Sequence, residues 1–136
     1  MSAADVFFDT NVVLYLLSAD VTRANLAEDL IARGGHVSVQ VLNEVANVAR
    51  RKLGLSWPEI LDITVQLRAV CAVAPLTLET HLLGLQVAER FGLSVYDSMI
   101  VASALMSGCT TLYTEDMQAG QVLEDRLTLR NPFVNH

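Results

Sequence analysis

Basic residues are scarce in this sequence of 136 residues: 9 lysines and arginines stand against 15 aspartates and glutamates, which gives a formal net charge of -6. Proteins that bind nucleic acid by charge alone carry an excess of basic side chains, so the composition argues against that class. A group of carboxylates that holds divalent cations is compatible with this balance, because the cations neutralise it. The positions of the acidic residues are therefore more informative than their number.

Cysteines and long apolar runs are also scarce. Cys71 and Cys109 lie in apolar stretches without the CxxC spacing of a zinc or redox site, so we expect reduced thiols in the core. No run approaches the roughly 20 apolar residues of a membrane span. The stretch Val6 to Ala19 follows no basic segment and is interrupted at Asp9, which argues against a signal peptide. We expect a soluble, cytoplasmic protein that does not bind membranes.

Prolines and glycines number only 3 and 7, whereas 52% of the residues are apolar, which predicts one folded domain over residues 1–136. Short β-branched runs alternate with helical patterns, as in βαβ units around a parallel sheet. The predicted strands are Ala4–Phe8, His36–Val39, Ala72–Ala74, Thr110–Tyr113 and Leu127–Leu129. The expected fold class is α/β, with three layers, α/β/α, around a central, mostly parallel five-stranded sheet.

Several predicted helices have recognisable ends. Ser56 and Glu59 have the spacing of a capping box at the start of a helix that runs to about Val70. Thr77 is expected to cap a helix that stops at Gly92. Two more helices are predicted at residues 40–53 and 96–107, and the second is nearly all apolar or small, so we expect it to be buried.

Four acidic residues have positions that relate them to the ends of these elements. Asp9 directly follows the first predicted strand, and Asp116 follows the fourth. Asp97 opens the buried helix. Glu44 lies in the helix at 40–53, at the edge of its inward apolar stripe. Doubly wound α/β proteins bind ligands at the C-terminal edge of the sheet, and we expect the four carboxylates to meet there.

Each acid also has a purely structural explanation. Asp9 and Asp97 are able to cap helices, and Asp116 to form a turn. Glu44 is able to pair with Arg51. These explanations do not predict that the four acids converge. Convergence is costly, because two unit charges ~4 Å apart repel by about 4 kcal/mol at an effective dielectric near 20. Such a cluster needs counter-ions, and oxygen ligands favour Mg²⁺ or Mn²⁺, which suit phosphodiester hydrolysis.

Four short motifs follow one another along the chain: Phe8-Asp9-Thr10-Asn11, Val41-Leu42-Asn43-Glu44-Val45, Tyr96-Asp97-Ser98 and Thr114-Glu115-Asp116. In this order they resemble the motifs of PIN-domain ribonucleases, in particular the small VapC-type toxins of bacterial toxin–antitoxin pairs. The resemblance covers essentially the whole chain. It implies a PIN-like fold and a Mg²⁺- or Mn²⁺-dependent endoribonuclease that cleaves RNA. It also implies a homodimer that a cognate antitoxin protein restrains and that reaches DNA only through this antitoxin.

The resemblance also implies roles for individual residues. Asp9 and Asp97 would be the principal metal ligands. Glu44 and Asp116 would complete the catalytic acidic site, directly or through water. The supporting residues would be Thr10, Asn11 and Thr114. Glu115 places a second acid beside Asp116, which leaves open which of these two carboxylates faces the metal.

Three basic residues, Arg50, Arg51 and Lys52, end the predicted helix at 40–53. Their interaction with the helix dipole is a sufficient explanation for this position. They are also candidates to bind the phosphates of a substrate. The sequence offers no stronger pattern for substrate contacts.

Other functional classes fit the sequence less well than a nuclease does. The sequence lacks a GxxxxGK phosphate-binding loop and has no lysine beyond Lys52, which a phospho-receiver domain would need. The histidines, including His136, lack the spacing of a metal or nucleophile site. Two alternatives stay open: a housekeeping PIN nuclease without an antitoxin, and a non-catalytic module that binds a protein. Residues near Val12–Leu17 and Ile60–Leu67 are candidates for an apolar partner contact.

Overall fold

The computed structural model describes residues 2–134, so His136 lies outside the described residues. The strands are β1 (Val6–Phe8), β2 (Gly35–Ser38), β3 (Cys71–Ala74), β4 (Thr111–Tyr113), β5 (Val122–Leu123) and β6 (Leu127–Arg130). The helices are α1 (Thr10–Leu14), α2 (Val21–Ala32), α3 (Val39–Arg51), α4 (Trp57–Val70), α5 (Leu78–Phe91) and α6 (Val95–Met106). Short 3-10 turns occupy Ala3–Asp5 and Tyr15–Leu17.

The sheet has the order β3-β2-β1-β4-β6-β5. Neighbouring strands are parallel, except that β5 and β6 are antiparallel. The chain moves from β1 to β2 and β3 on one side and returns to β4 on the other. The connections therefore diverge beside β1, and parallel sheets bind ligands at such a point.

The predicted count of five strands is wrong, because the described chain has six. The additional strand is β5, whose two residues, Val122–Leu123, are too few to give a strand pattern in the sequence. The first predicted strand also starts too early, since Ala3–Asp5 form a 3-10 turn and β1 begins at Val6. The predicted α/β class with a central, mostly parallel sheet is confirmed.

Burial follows the pattern expected for a sheet that is covered on both faces. All three residues of β1 are buried, which requires helices or loops on each side of this central strand. The largest fully buried side chains include Phe7, Phe8, Ile100 and Leu112. Residues 98–105 of α6 are all buried, as the composition of this helix predicts. The core therefore fixes the positions of β1, β4 and α6, which carry or adjoin the predicted acids.

Most predicted helix ends agree with the structure. The Ser56 hydroxyl accepts from the Glu59 backbone N–H at 3.3 Å, and the Thr77 hydroxyl accepts from Thr80 at 3.2 Å. Gly92 ends α5 with a left-handed φ of 69°, which glycine adopts without a steric penalty. Residue 39, predicted as the end of a strand, instead begins α3. Helix α2 was not among the predicted helices.

Both cysteines are free and buried, as predicted. Burial raises the pKa of the Cys71 thiol to about 11, and burial together with the charge of Asp5 raises that of Cys109 to about 11. Both side chains are therefore held as neutral thiols. Across residues 2–134, the helices are too short or too polar to cross a membrane.

Candidate active site

Asp9 is the most deeply buried of the predicted acids, with 3% of its surface exposed. Its Oδ1 accepts from the Thr10 backbone N–H at 2.6 Å, so it caps α1 as its structural explanation predicts. Its Oδ2 accepts from the Thr114 hydroxyl at 2.7 Å and from Asn11 Nδ2 at 3.2 Å. Both carboxylate oxygens are therefore oriented by fixed donors, and the cap does not exclude a role in the site.

The charge of Asp9 is poorly compensated despite these donors. Burial raises the pKa of Asp9 to about 6 from an ordinary value of 3.8, and the charges of Asp97 and Asp116 add to the rise. The hydrogen bonds from Thr114 and Thr10 act in the opposite direction. Burial therefore disfavours the ionised form of Asp9 more than its hydrogen-bond donors favour it.

Glu44 projects from the second turn of α3 and is half-buried. Its Oε1 accepts from the Thr10 hydroxyl at 2.9 Å, and its Oε2 accepts from Gln40 Nε2 at 2.6 Å. These contacts take the place of the pairing with Arg51 that the sequence also allowed. Thr10 therefore holds two acids at once, Asp9 through its backbone N–H and Glu44 through its hydroxyl.

Asp97 lies in the first turn of α6 and is half-buried. The cap of this helix is Ser94, whose hydroxyl accepts from the Asp97 backbone N–H at 3.2 Å. Burial raises the pKa of Asp97, the contact with Ser94 lowers it, and the charges of Asp116 and Glu44 raise it further. Carboxylates on three separate segments therefore act on one another electrostatically.

The four predicted acids line one open depression at the C-terminal edge of the sheet. The described residues that line this depression are Asp9, Thr10, Asn11, Leu14, Glu44, Asn47, Val48, Asp97 and Asp116. None of these residues is basic. The structure thus brings together the acids from the end of β1, from α3, from the start of α6 and from the segment after β4.

Glu115 and Asp116 lie in different depressions. Asp116 is exposed in the acidic depression, whereas Glu115 lies with Asn11 and Tyr15 in a neighbouring one. The Glu115 carboxylate accepts from the Tyr15 hydroxyl at 2.6 Å and forms an ion pair with Arg23. Asp116 is therefore the carboxylate of this pair that faces the other acids.

Two of the three supporting residues, Asn11 and Thr114, contact both Asp9 and the segment after β4. Thr114 is fully buried, and its Oγ1 donates to Asp9 and accepts from the backbone N–H groups of Asp116 and Met117 at 3.3 and 3.4 Å. The Asn11 side chain contacts Asp9 through Nδ2 and accepts from the Glu115 backbone N–H at 3.1 Å. Both side chains thus connect the buried acid to the segment after β4.

The basic residues at the end of α3 lie outside the acidic depression. Arg50 donates to the Leu55 carbonyl at 3.0 Å and lies 4.5 Å above the centre of the Trp57 ring. Arg51 and Lys52 are exposed. Arg50 therefore has a structural role at the turn between α3 and α4.

Three residues that contact the acids of these motifs were not predicted from the sequence: Gln40, Tyr15 and Arg23. Gln40 precedes Glu44 by one helical turn, and the i,i+4 spacing could have revealed the contact. Tyr15 follows Asn11 by the same spacing, at the end of α1. Arg23 lies 92 positions from Glu115, and no local pattern signals an ion pair across that distance.

The donor set of the depression fits a hard divalent cation. Carboxylate and amide oxygens are ligands that Mg²⁺ and Mn²⁺ accept. In the described part of the chain, no group of three or more His, Cys, Asp or Glu side chains is already arranged as a metal cage. Mg²⁺ commonly keeps several waters and binds through one or two carboxylates together with substrate phosphates. The open depression suits an ion held in this way better than one in a closed protein cage.

Several solved structures have a similar fold. VapC20 from Mycobacterium tuberculosis, described as a toxin that cleaves the sarcin-ricin loop, is 22% identical with a TM-score of 0.68, over 82% of this chain and 90% of that one. A toxin–antitoxin complex from Klebsiella pneumoniae is 15% identical with a TM-score of 0.72, over 95% and 98%. FitAcB from Neisseria gonorrhoeae is 18% identical with a TM-score of 0.67, over 95% and 99%. At these identities the likeness concerns the fold.

The sequence itself matches a family model. It matches none of the curated proteins. Residues 6–122 match the model of the PIN domain, a range that includes all four acidic motifs. This match confirms the resemblance predicted from the motifs. The chain therefore belongs to the PIN-domain family.

Proposed function

We propose that this protein is a Mg²⁺- or Mn²⁺-dependent endoribonuclease that hydrolyses RNA phosphodiester bonds. One observation carries the proposal: four carboxylates from distant parts of the chain share one depression that has no basic residue in its described lining. The four are Asp9, Glu44, Asp97 and Asp116. Their mutual repulsion opposes folding, and a divalent cation removes that cost.

In this proposal Asp9 and Asp97 are the principal metal ligands. Asp9 is oriented by donors on both oxygens, so it offers a fixed lone pair to the depression. Asp97 is half-buried, so its carboxylate is still partly open to solvent. A bound Mg²⁺ or Mn²⁺ supplies an activated water and stabilises the charge that develops during in-line displacement.

Glu44 and Asp116 complete the acidic site, directly or through water. Thr10 and Gln40 each donate to one oxygen of Glu44, which fixes the plane of its carboxylate. The remaining lone pairs of Glu44 and the exposed carboxylate of Asp116 are available to orient the attacking water. Arg51 and Lys52, with Arg50, are proposed contacts for substrate phosphates outside the depression.

The proposal is tested with purified, antitoxin-free protein and total bacterial RNA. We expect discrete products with Mg²⁺ or Mn²⁺, and no cleavage with EDTA or in Asp97→Asn. The matched control is Asp62→Asn, which removes an exposed aspartate of α4 and should cleave as the wild type does. If the folded wild-type protein loaded with Mn²⁺ leaves the RNA intact, the nuclease proposal falls and the non-catalytic binding module gains support.

We further propose that the protein is the toxin of a VapBC-type pair and forms a homodimer. The solved structures with a similar fold include toxin–antitoxin complexes. The structure also has an apolar groove between α1, α2 and α4, lined by Val13, Leu16, Leu17, Glu28, Ile31, Ala32, Ile63, Gln66, Leu67 and Val70. Both segments predicted to contact a partner contribute to this groove. A cognate antitoxin that covers it could reach the acidic depression with basic side chains.

The toxin role is tested by coexpression with the product of the adjacent upstream reading frame. Wild-type protein alone should arrest growth, and Asp97→Asn should not, although it should still be captured by this partner. Ile63→Glu should lose capture because Ile63 lines the groove, whereas Leu61→Glu, on the same helix but outside the groove lining, should retain it. RNA cleavage without growth arrest or a captured partner would instead favour a housekeeping PIN nuclease.

A further inference from the structure

Glu115 and Asp116, the two adjacent acids after β4, have different surroundings. Glu115 is 27% exposed and is bound by Tyr15 and Arg23, whereas Asp116 is exposed in the acidic depression. The two side chains follow one another on the same backbone, so the contacts that hold Glu115 also restrain the direction of Asp116. The contacts of Glu115 therefore bear on the position of Asp116 in the acidic depression.

Glu115 is held by a cluster of side chains in the depression next to the acidic one. Arg23 Nη1 donates to the Tyr15 hydroxyl at 2.8 Å and pairs with the Glu115 carboxylate. The guanidinium carbon lies 5.3 Å from the centre of the Tyr15 ring and 5.5 Å from that of Phe133, and these two rings are 4.6 Å apart. Arg23 is thus fixed by ion pairing and by cation–π contacts, which restrict its rotamers.

The backbone of the same segment is hydrogen-bonded to the two side chains that orient Asp9. The Glu115 N–H donates to Asn11 Oδ1 at 3.1 Å, and the Asp116 N–H donates to the Thr114 hydroxyl at 3.3 Å. Asn11 and Thr114 both donate to Asp9. These bonds hold the peptide that carries Asp116 relative to Asp9, and the contacts of Glu115 with Tyr15 and Arg23 restrain the same segment through its side chain.

We propose that Arg23 and Tyr15 are positioning residues, which hold Glu115 outside the metal site so that Asp116 supplies the carboxylate of this segment. The inference rests on the proposed function, since it assigns these residues to the same site. The ion pair also neutralises Glu115, so that its charge does not add to that of the four acids. Arg23 and Tyr15 act on the metal through Asp116 and do not touch it.

The test measures Mn²⁺ binding by isothermal titration calorimetry, which is independent of cleavage. Arg23→Met should weaken Mn²⁺ binding about 10-fold, the low end of the loss typical when a group that orients a ligand is removed. Arg23→Lys retains a cation and should lose less. The control is Arg90→Met, which breaks the surface ion pair of Arg90 and Glu124 at 2.8 Å and should bind Mn²⁺ as the wild type does.

A double-mutant cycle with Asp116→Asn distinguishes positioning from general destabilisation. If Arg23 acts through Asp116, Arg23→Met should cause no further loss of Mn²⁺ affinity in the Asp116→Asn background. An equal loss in both backgrounds would overturn the inference. If Arg23→Met does not fold, Tyr15→Phe removes a single hydroxyl and undergoes the same cycle.

The two proposals fail in different ways. If the wild type binds Mn²⁺ and both Arg23→Met and Tyr15→Phe bind it equally well, the positioning role is wrong and the proposed function stands. If the wild type itself does not bind Mn²⁺, the proposed metal-dependent function fails first. Circular dichroism on each variant confirms that the comparison is made between folded proteins.

Discussion

The Thr114 hydroxyl donates to Asp9 Oδ2 over 2.7 Å and joins the ends of two neighbouring parallel strands. The register explains the contact, because Phe8 of β1 pairs with Tyr113 of β4, and Asp9 and Thr114 are the next residue on each strand. The same hydroxyl accepts from the backbone of Asp116. The Thr114 side chain thus links Asp9, which is buried, to the segment that carries Asp116, which is exposed.

We expect Thr114→Val to destabilise the protein when Asp9 is ionised. Valine has nearly the shape of threonine but cannot donate, and the loss of a partner for a buried carboxylate costs about 1–3 kcal/mol. Urea unfolding well above the pKa of Asp9 measures the change. Thr114→Ser keeps the hydroxyl and should lose about 1 kcal/mol for the missing methyl group. Equal stability of Thr114→Val and wild type would show that the hydroxyl does not hold Asp9.

Asp9 should make the metal-free protein less stable as the pH rises through its pKa. The folded-state pKa of about 6 exceeds the ordinary value of 3.8, so the folded protein binds this proton more tightly than the unfolded chain. The resulting stabilisation is fully present below about pH 3.8. It is lost as the pH rises through the folded-state pKa of about 6.

Asp9→Asn removes this titration and isolates its contribution. The free energy of unfolding of the variant, minus that of the wild type, should rise by about 2 kcal/mol between pH 4 and pH 7 in the presence of EDTA. Denaturant titrations at several pH values measure this difference. A difference that does not change with pH would contradict the raised pKa of Asp9.

Mn²⁺ should raise the melting temperature of the wild type more than that of Asp97→Asn. The charges of Asp116 and Glu44 already disfavour the ionised form of Asp97, so a cation among these three acids relieves repulsion. Thermal unfolding with and without Mn²⁺ gives the two shifts. Asp62→Asn serves as the control for loss of one negative charge. Equal shifts of the melting temperature in Asp97→Asn and wild type would place the metal elsewhere.

The sequence was sufficient for the parts of the site that local patterns specify. Asp9 and Asp116 could be located because polar residues directly follow apolar strands, and Glu44 because helical periodicity places it beside an inward stripe. The choice between Glu115 and Asp116 could not be made, since it depends on Arg23, 92 positions away. Strand β5 was missed for a related reason: its two residues form a strand only because β6 lies beside them.

Replacement of Arg51 and Lys52 by glutamine should weaken RNA binding without changing metal binding. If both residues contact phosphates, the KM for RNA should rise and the salt dependence of binding should fall by about 1 to 2 units of slope. Cleavage assays at several salt concentrations measure both effects. Arg90→Gln, on the surface near Glu124, is the control for loss of positive charge. If the salt dependence of RNA binding is unchanged in the double variant, Arg51 and Lys52 do not contact phosphates. Their interaction with the dipole of α3 would then be their only role.

A parallel titration of Mn²⁺ binding and RNA cleavage tests the central claim most directly. Antitoxin-free protein is titrated with Mn²⁺ while binding is followed by calorimetry and the cleavage rate by gel analysis of total RNA. We predict that both signals rise with the same half-saturating concentration and that Asp97→Asn loses both. Folded protein saturated with Mn²⁺ that leaves the RNA intact would contradict the account.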